Sequence, residues 1–252
     1  MTRILAAIDS SGAARPVLET AAAVAALFDA DVEAVHIRTE STRLVETAAR
    51  AAGVPLRIED GDPVERLAEE AAADDVDALV VGSRGTLAGP RPAGSIAFEV
   101  IRSLSKPVVV VPPDAPAPRR LRRVLVPLEG TASTSDAPRA IVELAQGAAV
   151  DVVVLHVREE IPAFVDQQKH EAEAWAEQFL ARFCAWGIAD LRLETRIGMP
   201  FQVVVDVARE FDVDAIVLGW AQALDPGRAA VVREALERGG RPVVLVPLAA
   251  DG

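Results

Sequence analysis

Short apolar runs alternate along the chain with longer stretches in which apolar residues recur at helical spacing. The first run, 4–8, has the length of a buried strand and ends at Asp9. The alanine-rich stretch 11–30 then predicts a helix, with Ser10 or Ser11 as its cap. In the same way the pattern predicts strands at 4–8, 32–37, 54–58, 78–81 and 108–111, and helices at 11–30, 42–52, from 62–63 onward and at 95–105.

Strands that alternate with helices predict an α/β fold with a parallel sheet. The whole pattern occurs twice, so we expect two tandem Rossmann-like domains, each with a five-stranded parallel sheet. Ligands bind to such open sheets beyond the carboxyl ends of the strands, where the strand order reverses. The loops that follow the first and fourth strands are therefore the first places to look for a site.

Five matching blocks in the same order establish the repeat. The first two pairs lie 120 residues apart, the next two 137 and the last 135. The second copy therefore carries a 17-residue insertion followed by a two-residue deletion. The blocks are 4–9 with 124–129, 35–38 with 155–158, 61–63 with 198–200, 77–82 with 214–219, and 107–112 with 242–247.

The boundary between the copies is predicted in a proline-rich stretch. Four prolines between residues 112 and 118 disfavour a helix and favour an extended, fairly stiff linker. We predict a first domain at 1–112, a linker at 113–120 and a second domain at 121–248.

Composition narrows the classes of partner and compartment. The net charge of −12 over 252 residues disfavours binding to nucleic acid or to an anionic membrane surface. No apolar stretch approaches the roughly 20 residues of a membrane helix, and the first residues do not have the pattern of a secretory signal. Cys184 is the only cysteine, which fits a reducing compartment. We expect a cytoplasmic protein with neither nucleic acid nor a membrane as partner.

The loop after the fourth predicted strand has the chemistry of an anion site. Residues 82–95 are rich in glycine, which exposes backbone N–H groups, and Gly94–Ser95 stands where the next helix begins. Arg84 and Arg91 add positive charge. The alternative is a loop whose glycines only make a turn. The two common nucleotide motifs, Gly-x-Gly-x-x-Gly after strand one and Gly-Lys-Ser/Thr, do not occur.

Together these residues resemble the universal stress protein family over nearly the whole chain, twice. The resemblance rests on a first strand that ends in Asp, on His in the second strand, on Gly-Ser-x-Gly after the fourth, on a later Gly-Ser, and on the closing run 107–112. The family's ATP-binding members have Gly, two residues, Gly, nine residues, then Gly-Ser/Thr. Here eight residues separate Gly85 from Gly94.

The resemblance implies a site for ATP, with Mg²⁺ or Mn²⁺, in the first domain only. Asp9 would contact the adenosine part, with helix capping as its alternative role. Strand-end backbone would flank the adenine, the loop glycines would hold the ribose and first phosphates, and the start of the next helix would hold the terminal phosphates. The implied binding residues are Ala7, Asp9, Ile37, Gly82, Arg84, Gly85, Gly94, Ser95 and Ile96.

The second copy has lost this motif. Glu129 replaces the aspartate, Trp220 stands opposite Ser83, and Gln222 stands opposite Gly85. Ala229 and Ala230 stand opposite the Gly-Ser pair. Side chains would block the close approach of backbone to a ligand, so we expect no ATP in this half.

The patterns of the insertion and of the histidines indicate structural roles. Trp175, Phe179 and Phe183 are spaced four apart, which places them on one face of a helix. We predict that the insertion lengthens the second helix, and the alternative is a lid over the other half. His36 and His156 occupy equivalent strand positions, which favours structure over metal binding or catalysis.

No nucleophile–base constellation emerges, so we expect at most slow hydrolysis of ATP. The leading hypothesis is a stress-response protein that binds ATP as a ligand or signal. The alternative is an interaction module that acts through an unknown client protein, and a related nucleotide hydrolase is a weaker third. Family resemblance further implies that 108–111 and 243–246 pair to make a pseudo-dimer within one chain, which could form a further homodimer.

Overall fold

A computed structural model describes most of the chain. It describes residues 1–38, 41–83, 95–116, 118, 120–129, 139–158, 177–182, 191–220 and 230–248, with the backbone alone at 95–98.

The first half contains five strands and four helices in alternation. The strands are β1 (Arg3–Ala7), β2 (Asp31–Ile37), β3 (Leu56–Glu59), β4 (Val76–Gly82) and β5 (Val108–Val111). The helices are α1 (Ala14–Phe28), α2 (Arg43–Ala52), α3 (Pro63–Ala72) and α4 (Ser95–Ser103).

The second half repeats the order. Its strands are β6 (Arg123–Pro127), β7 (Asp151–Arg158), β8 (Arg192–Ile197), β9 (Ala215–Trp220) and β10 (Val243–Pro247). Its helices are α5 (Arg139–Gly147), α6 (Pro200–Glu210) and α7 (Ala230–Arg238), and residues 177–182 are also helical.

All ten strands form one continuous sheet. Its order is β3-β2-β1-β4-β5-β10-β9-β6-β7-β8, so each half contributes five mutually parallel strands in the same relative order. The α/β fold with Rossmann-like halves is thus confirmed. At the centre β5 and β10 run antiparallel, with Val109 opposite Val244. This is the strand pairing that the sequence analysis expected for the closing apolar runs, and it leaves neither strand as an exposed edge.

Helices cover both faces of the sheet. One buried cluster unites α1, α2 and α5 with one face, and a second unites α3, α4, α6 and α7 with the other. Successive strand residues alternate between the clusters, as Ile4 and Leu5 do. Each cluster includes residues from both halves, so the halves share their hydrophobic core.

Helix α1 differs from its prediction at both ends. It begins at Ala14 rather than residue 11 and has no side-chain cap, so the expected capping by Ser10 or Ser11 is wrong. It ends at Phe28 because Asp29 adopts a left-handed conformation, with φ of 50°. By contrast, α3 begins at Pro63 as predicted, and Asp62 caps it by accepting hydrogen bonds from the backbone N–H groups of Val64 and Glu65.

The predicted linker packs against the core. Its described residues form neither helix nor strand, and Ala115 N–H donates to the Pro112 carbonyl in a turn. Ala115 and Leu121 are buried in the cluster that contains α1 and α5. The boundaries at 112 and 121 stay predictions.

Candidate functional site

The strand order reverses beside β1 in the first half. The chain passes from β1 to β2 and β3 on one side, then crosses to β4 on the other. Helices α1 and α4, which follow these two strands, pack on opposite faces of the sheet, and in open α/β sheets such an arrangement leaves a crevice at the carboxyl ends of the strands. This is where an open α/β sheet offers a ligand site.

Four of the predicted site residues meet at this crevice. Ala7 lies in register with Val35 of β2 on one side and with Val81 of β4 on the other. Ile37 is the last residue of β2, and Gly82 the last of β4. Asp9 is the second residue after the end of β1. The sheet thus brings Ala7, Asp9, Ile37 and Gly82 to one edge.

Asp9 organises the loop that leads into α1. Its Oδ1 atom accepts a hydrogen bond from Ser11 N–H at 2.9 Å and another from the Ser11 hydroxyl. Ser11 Oγ in turn accepts from Ala13 N–H at 3.2 Å. Asp9 therefore fixes a turn ahead of the helix and is not its N-cap, since the cap position is Ala13.

His36 holds the start of the same loop through a hydrogen bond. The ring Nδ1 lies 2.9 Å from the carbonyl oxygen of Ile8, and the residue is buried. Sequence reasoning placed His36 in a structural role without finding this bond. The sequence signal for that role was a second histidine at the equivalent strand position. His156 makes the matching contact in the second half, with Nδ1 3.1 Å from the carbonyl oxygen of Leu128.

The start of α4 is the next predicted part of the site. The helix begins at Ser95, so Ser95 and Ile96 lie in its first turn, where backbone N–H groups have no partner within the helix. Such a terminus attracts anions. Three other predicted site residues, Arg84, Gly85 and Gly94, lie outside the described residues, as does Arg91.

A large side chain lies at the equivalent strand end in the second half. Trp220 ends β9 where Ser83 follows β4, and only 3% of the residue is exposed. The indole belongs to the core cluster beneath α6 and α7. Its Nε1–H meets no acceptor among the residues that the structure describes. Ala230 opens α7, while Gln222 and Ala229 lie outside the described residues.

The described part of the insertion packs on its own half. Phe179 is buried, and its ring centroid lies 4.7 Å from that of His156. The other aromatic residues of the insertion and Cys184 lie outside the described residues.

Arg3 and Asp75, two groups whose pKa values are shifted, lie at the opposite, amino end of the sheet. There the Arg3 guanidinium donates to Asp75 at 2.8 Å and also pairs with Glu33. The hydrogen bond from Arg3 lowers the pKa of Asp75 below its ordinary value. A cavity of about 600 Å³ opens beside Arg3 and Glu33, which already form an ion pair with each other.

The described residues hold no cluster of three or more His, Cys, Asp or Glu side chains that could bind a metal ion. None of the described helices is long and apolar enough to cross a membrane.

Comparison with known proteins agrees with the geometry. A universal stress protein from Archaeoglobus fulgidus DSM 4304 shares the fold, with a TM-score of 0.70 at 16% identity, over 99% of this chain and 97% of its own. A functionally unknown protein from Pseudomonas aeruginosa PAO1 has a TM-score of 0.68 at 13% identity, over 98% of this chain and 93% of its own. No curated protein matches the sequence significantly.

The model of the universal stress protein family matches twice, at residues 38–112 and 120–246. The first match begins after β2, so Asp9 lies before it, whereas the second match includes β6 and β7. The two matches together cover well over half of the sequence. The chain therefore belongs to the universal stress protein family.

Proposed function

We propose that this stress protein binds ATP in the crevice of its first half, as a ligand or signal, while the second half has a structural and regulatory role. The observation that carries the proposal is that the ends of β1, β2 and β4 lie side by side at one edge of the sheet, with α4 following β4 in the chain. Backbone N–H groups, an acidic side chain and a strand-terminal glycine suit a nucleotide's phosphates, ribose and base.

Each part of the nucleotide has a candidate partner. The backbone at Ala7 and Ile37 would flank the adenine, and Asp9 would contact the adenosine part. Gly82 has no side chain at the point where ribose and phosphate would approach. Arg84, Gly85, Gly94, Ser95 and Ile96 would hold the phosphates. A Mg²⁺ or Mn²⁺ ion would be bound mainly by the phosphates themselves, because the described residues include no cluster of metal ligands.

The second half supports a different role. The indole of Trp220 fills the position at the end of β9, and Glu129 is longer than the aspartate that it replaces. With β5 and β10 paired, this half would act as the fixed partner in a pseudo-dimer within one chain. We propose a cytoplasmic location, which the single cysteine supports. Any hydrolysis of ATP would be slow.

One observation favours a second candidate function, an interaction module that binds a client protein or another copy of the chain. Ile197 and Met199 are 51% and 52% exposed at the end of the edge strand β8. The equivalent residues of the first half are Asp60 and Asp62. Two exposed apolar side chains in place of two carboxylates suit a protein partner.

Calorimetric titration of nucleotide-stripped protein with ATP and Mg²⁺ tests the proposal. We expect saturable heat that the variant Gly82→Val removes, because the added side chain stands at the mouth of the crevice. The matched control is Gly219→Val at the end of β9, which should leave the heat unchanged. Absence of heat at millimolar ATP, with the protein shown to be folded, would refute nucleotide binding and favour the interaction module.

A further inference from the structure

The histidine beneath the crevice is held by one specific hydrogen bond. His36 is only 3% exposed, and its Nδ1 lies 2.9 Å from the Ile8 carbonyl oxygen. A carbonyl oxygen only accepts hydrogen bonds, so Nδ1 carries the proton. The other nitrogen, Nε2, is buried and meets no partner among the described residues. Burying an imidazole with one nitrogen unpaired is costly, so the single bond to Ile8 is the polar interaction that favours histidine here.

This bond acts on Asp9 through covalent geometry. The Ile8 carbonyl and the Asp9 nitrogen belong to one planar peptide group, so holding the oxygen also orients the Asp9 N–H and Cα. Ile8 N–H donates to the Val35 carbonyl at 3.0 Å. The peptide groups on both sides of Ile8 are therefore fastened to β2, one by backbone and one by the imidazole.

The restraint continues into the loop. The Asp9 carboxylate holds Ser11 through its N–H and hydroxyl, and Ser11 Oγ accepts from Ala13 N–H. A series of hydrogen bonds, joined by the covalent link between Ile8 and Asp9, thus connects His36 of β2 to the residue that precedes α1. Removing its first member would free the peptide group that sets the direction of Asp9.

We propose that His36 is a positioning residue of the first-half site, which orients Asp9 for a nucleotide through the Ile8 carbonyl. The inference rests on the proposed function, because Asp9 is the residue assigned to the adenosine part. His36 itself touches no ligand in this scheme. Its contribution is to hold the strand end rigid before the ligand arrives, which reduces the entropy lost on binding.

The second half provides an internal control. His156 makes the same bond, with Nδ1 3.1 Å from the Leu128 carbonyl oxygen, but the next residue there is Glu129. Any effect on packing or stability should therefore appear in both halves, whereas an effect on nucleotide binding should appear only at His36.

Three variants separate these effects, namely H36L, H36N and H156L. The amide nitrogen of asparagine lies near the position of Nδ1, so H36N retains the donor to Ile8 while H36L removes it. We expect H36L to weaken ATP binding by about tenfold or more, the equivalent of one lost hydrogen bond. H36N should stay within about threefold of the unmodified protein, and H156L should not change the affinity.

Nitrogen-15 NMR of the histidine rings gives a readout without nucleotide. We expect the Nδ1–H tautomer for His36, and an altered Asp9 amide resonance in H36L that H36N restores. The Nε2–H tautomer at His36 would overturn the inference. The tautomer is measured in the unmodified protein, so it tests the inference even if H36L does not fold. Equal loss of affinity in H36L and H156L, or in H36L and H36N, would also overturn it. If the unmodified protein binds no ATP, the proposed function fails, while the NMR result still tests the link from His36 to Asp9.

Discussion

The two halves of this chain share strand order and core but differ where their strands end. In the first half the crevice is bordered by Asp9 and Gly82, and in the second by Glu129 and the buried indole of Trp220. The histidine bonds that fasten β1 to β2 and β6 to β7 are the same in both. The fold therefore depends on features that both halves retain, and the candidate site depends on features that only one retains.

This difference indicates how two halves with the same fold can differ at the candidate site. Trp220 belongs to the cluster that supports α6 and α7, so the position has changed from a small polar residue to a large part of the core. The central pairing of β5 with β10 lets each half cover the edge strand of the other, which is a structural role for the second half.

The largest effect that distinguishes the halves is expected at this position. Trp220→Ala should lower the free energy of unfolding by about 3–5 kcal/mol, because it leaves a cavity the size of an indole. Ser83→Ala, its matched control, should cost less than about 1 kcal/mol. Guanidinium unfolding followed by circular dichroism measures both. A small loss for Trp220→Ala would mean that the indole is not part of the core, and the contrast between the halves would fail.

A smaller contrast concerns the starts of α3 and α6. Asp62 caps α3 with two hydrogen bonds, whereas the equivalent Met199 makes no side-chain cap for α6. Asp62→Ala should lower the free energy of unfolding by about 1 kcal/mol, and Met199→Asp should raise it by about 0.5–1 kcal/mol. Urea midpoints measure both changes.

The exposed Asp60 offers the control for that contrast. Its ion pair with Arg38 is largely open to solvent, so Asp60→Ala should change stability by less than about 0.5 kcal/mol. Opposite signs for Asp62→Ala and Met199→Asp would support the difference in capping, and equal signs would contradict it.

The smallest effect is a dependence on pH at the amino end of the first half. The hydrogen bond from Arg3 lowers the pKa of Asp75 in the folded protein. The ionised Asp75 therefore stabilises the fold above about pH 4, and this stabilisation is lost as the pH falls below that value. The stability difference between the unmodified protein and Asp75→Asn should therefore shrink from pH 5 to pH 2. Thermal unfolding across that range measures it, and a difference that grows with acidity would contradict the assignment.

The sequence predicted the order of elements well, because apolar runs and helical spacing are local signals. The β5 prediction matches residue for residue, and the helix predicted at 42–52 is found at Arg43–Ala52, where Gly53 ends it in a left-handed conformation. The start of α1 was wrong because Ser11 is drawn into a turn with Asp9, and a capping serine and a turn serine look alike in sequence.

The site could be predicted only in part. That residues at strand ends, such as Asp9 and Gly82, lie at one edge of the sheet could be expected because parallel strands end there, while their roles toward a ligand stay predictions. The bond from His36 to Ile8 could not be found, since it joins residues 28 apart and depends on the register between β1 and β2. The burial of Trp220 likewise follows from packing beneath α6 and α7 and not from its neighbours in sequence.

Native mass spectrometry of the stripped protein with ATP and Mg²⁺ would test most directly whether the halves differ in ligand binding. The proposed division of roles predicts one nucleotide per chain, lost in Gly82→Val and retained in Gly219→Val. Two nucleotides per chain would show that the second half still binds despite Trp220, and none would show that the crevice of the first half has another ligand or no ligand.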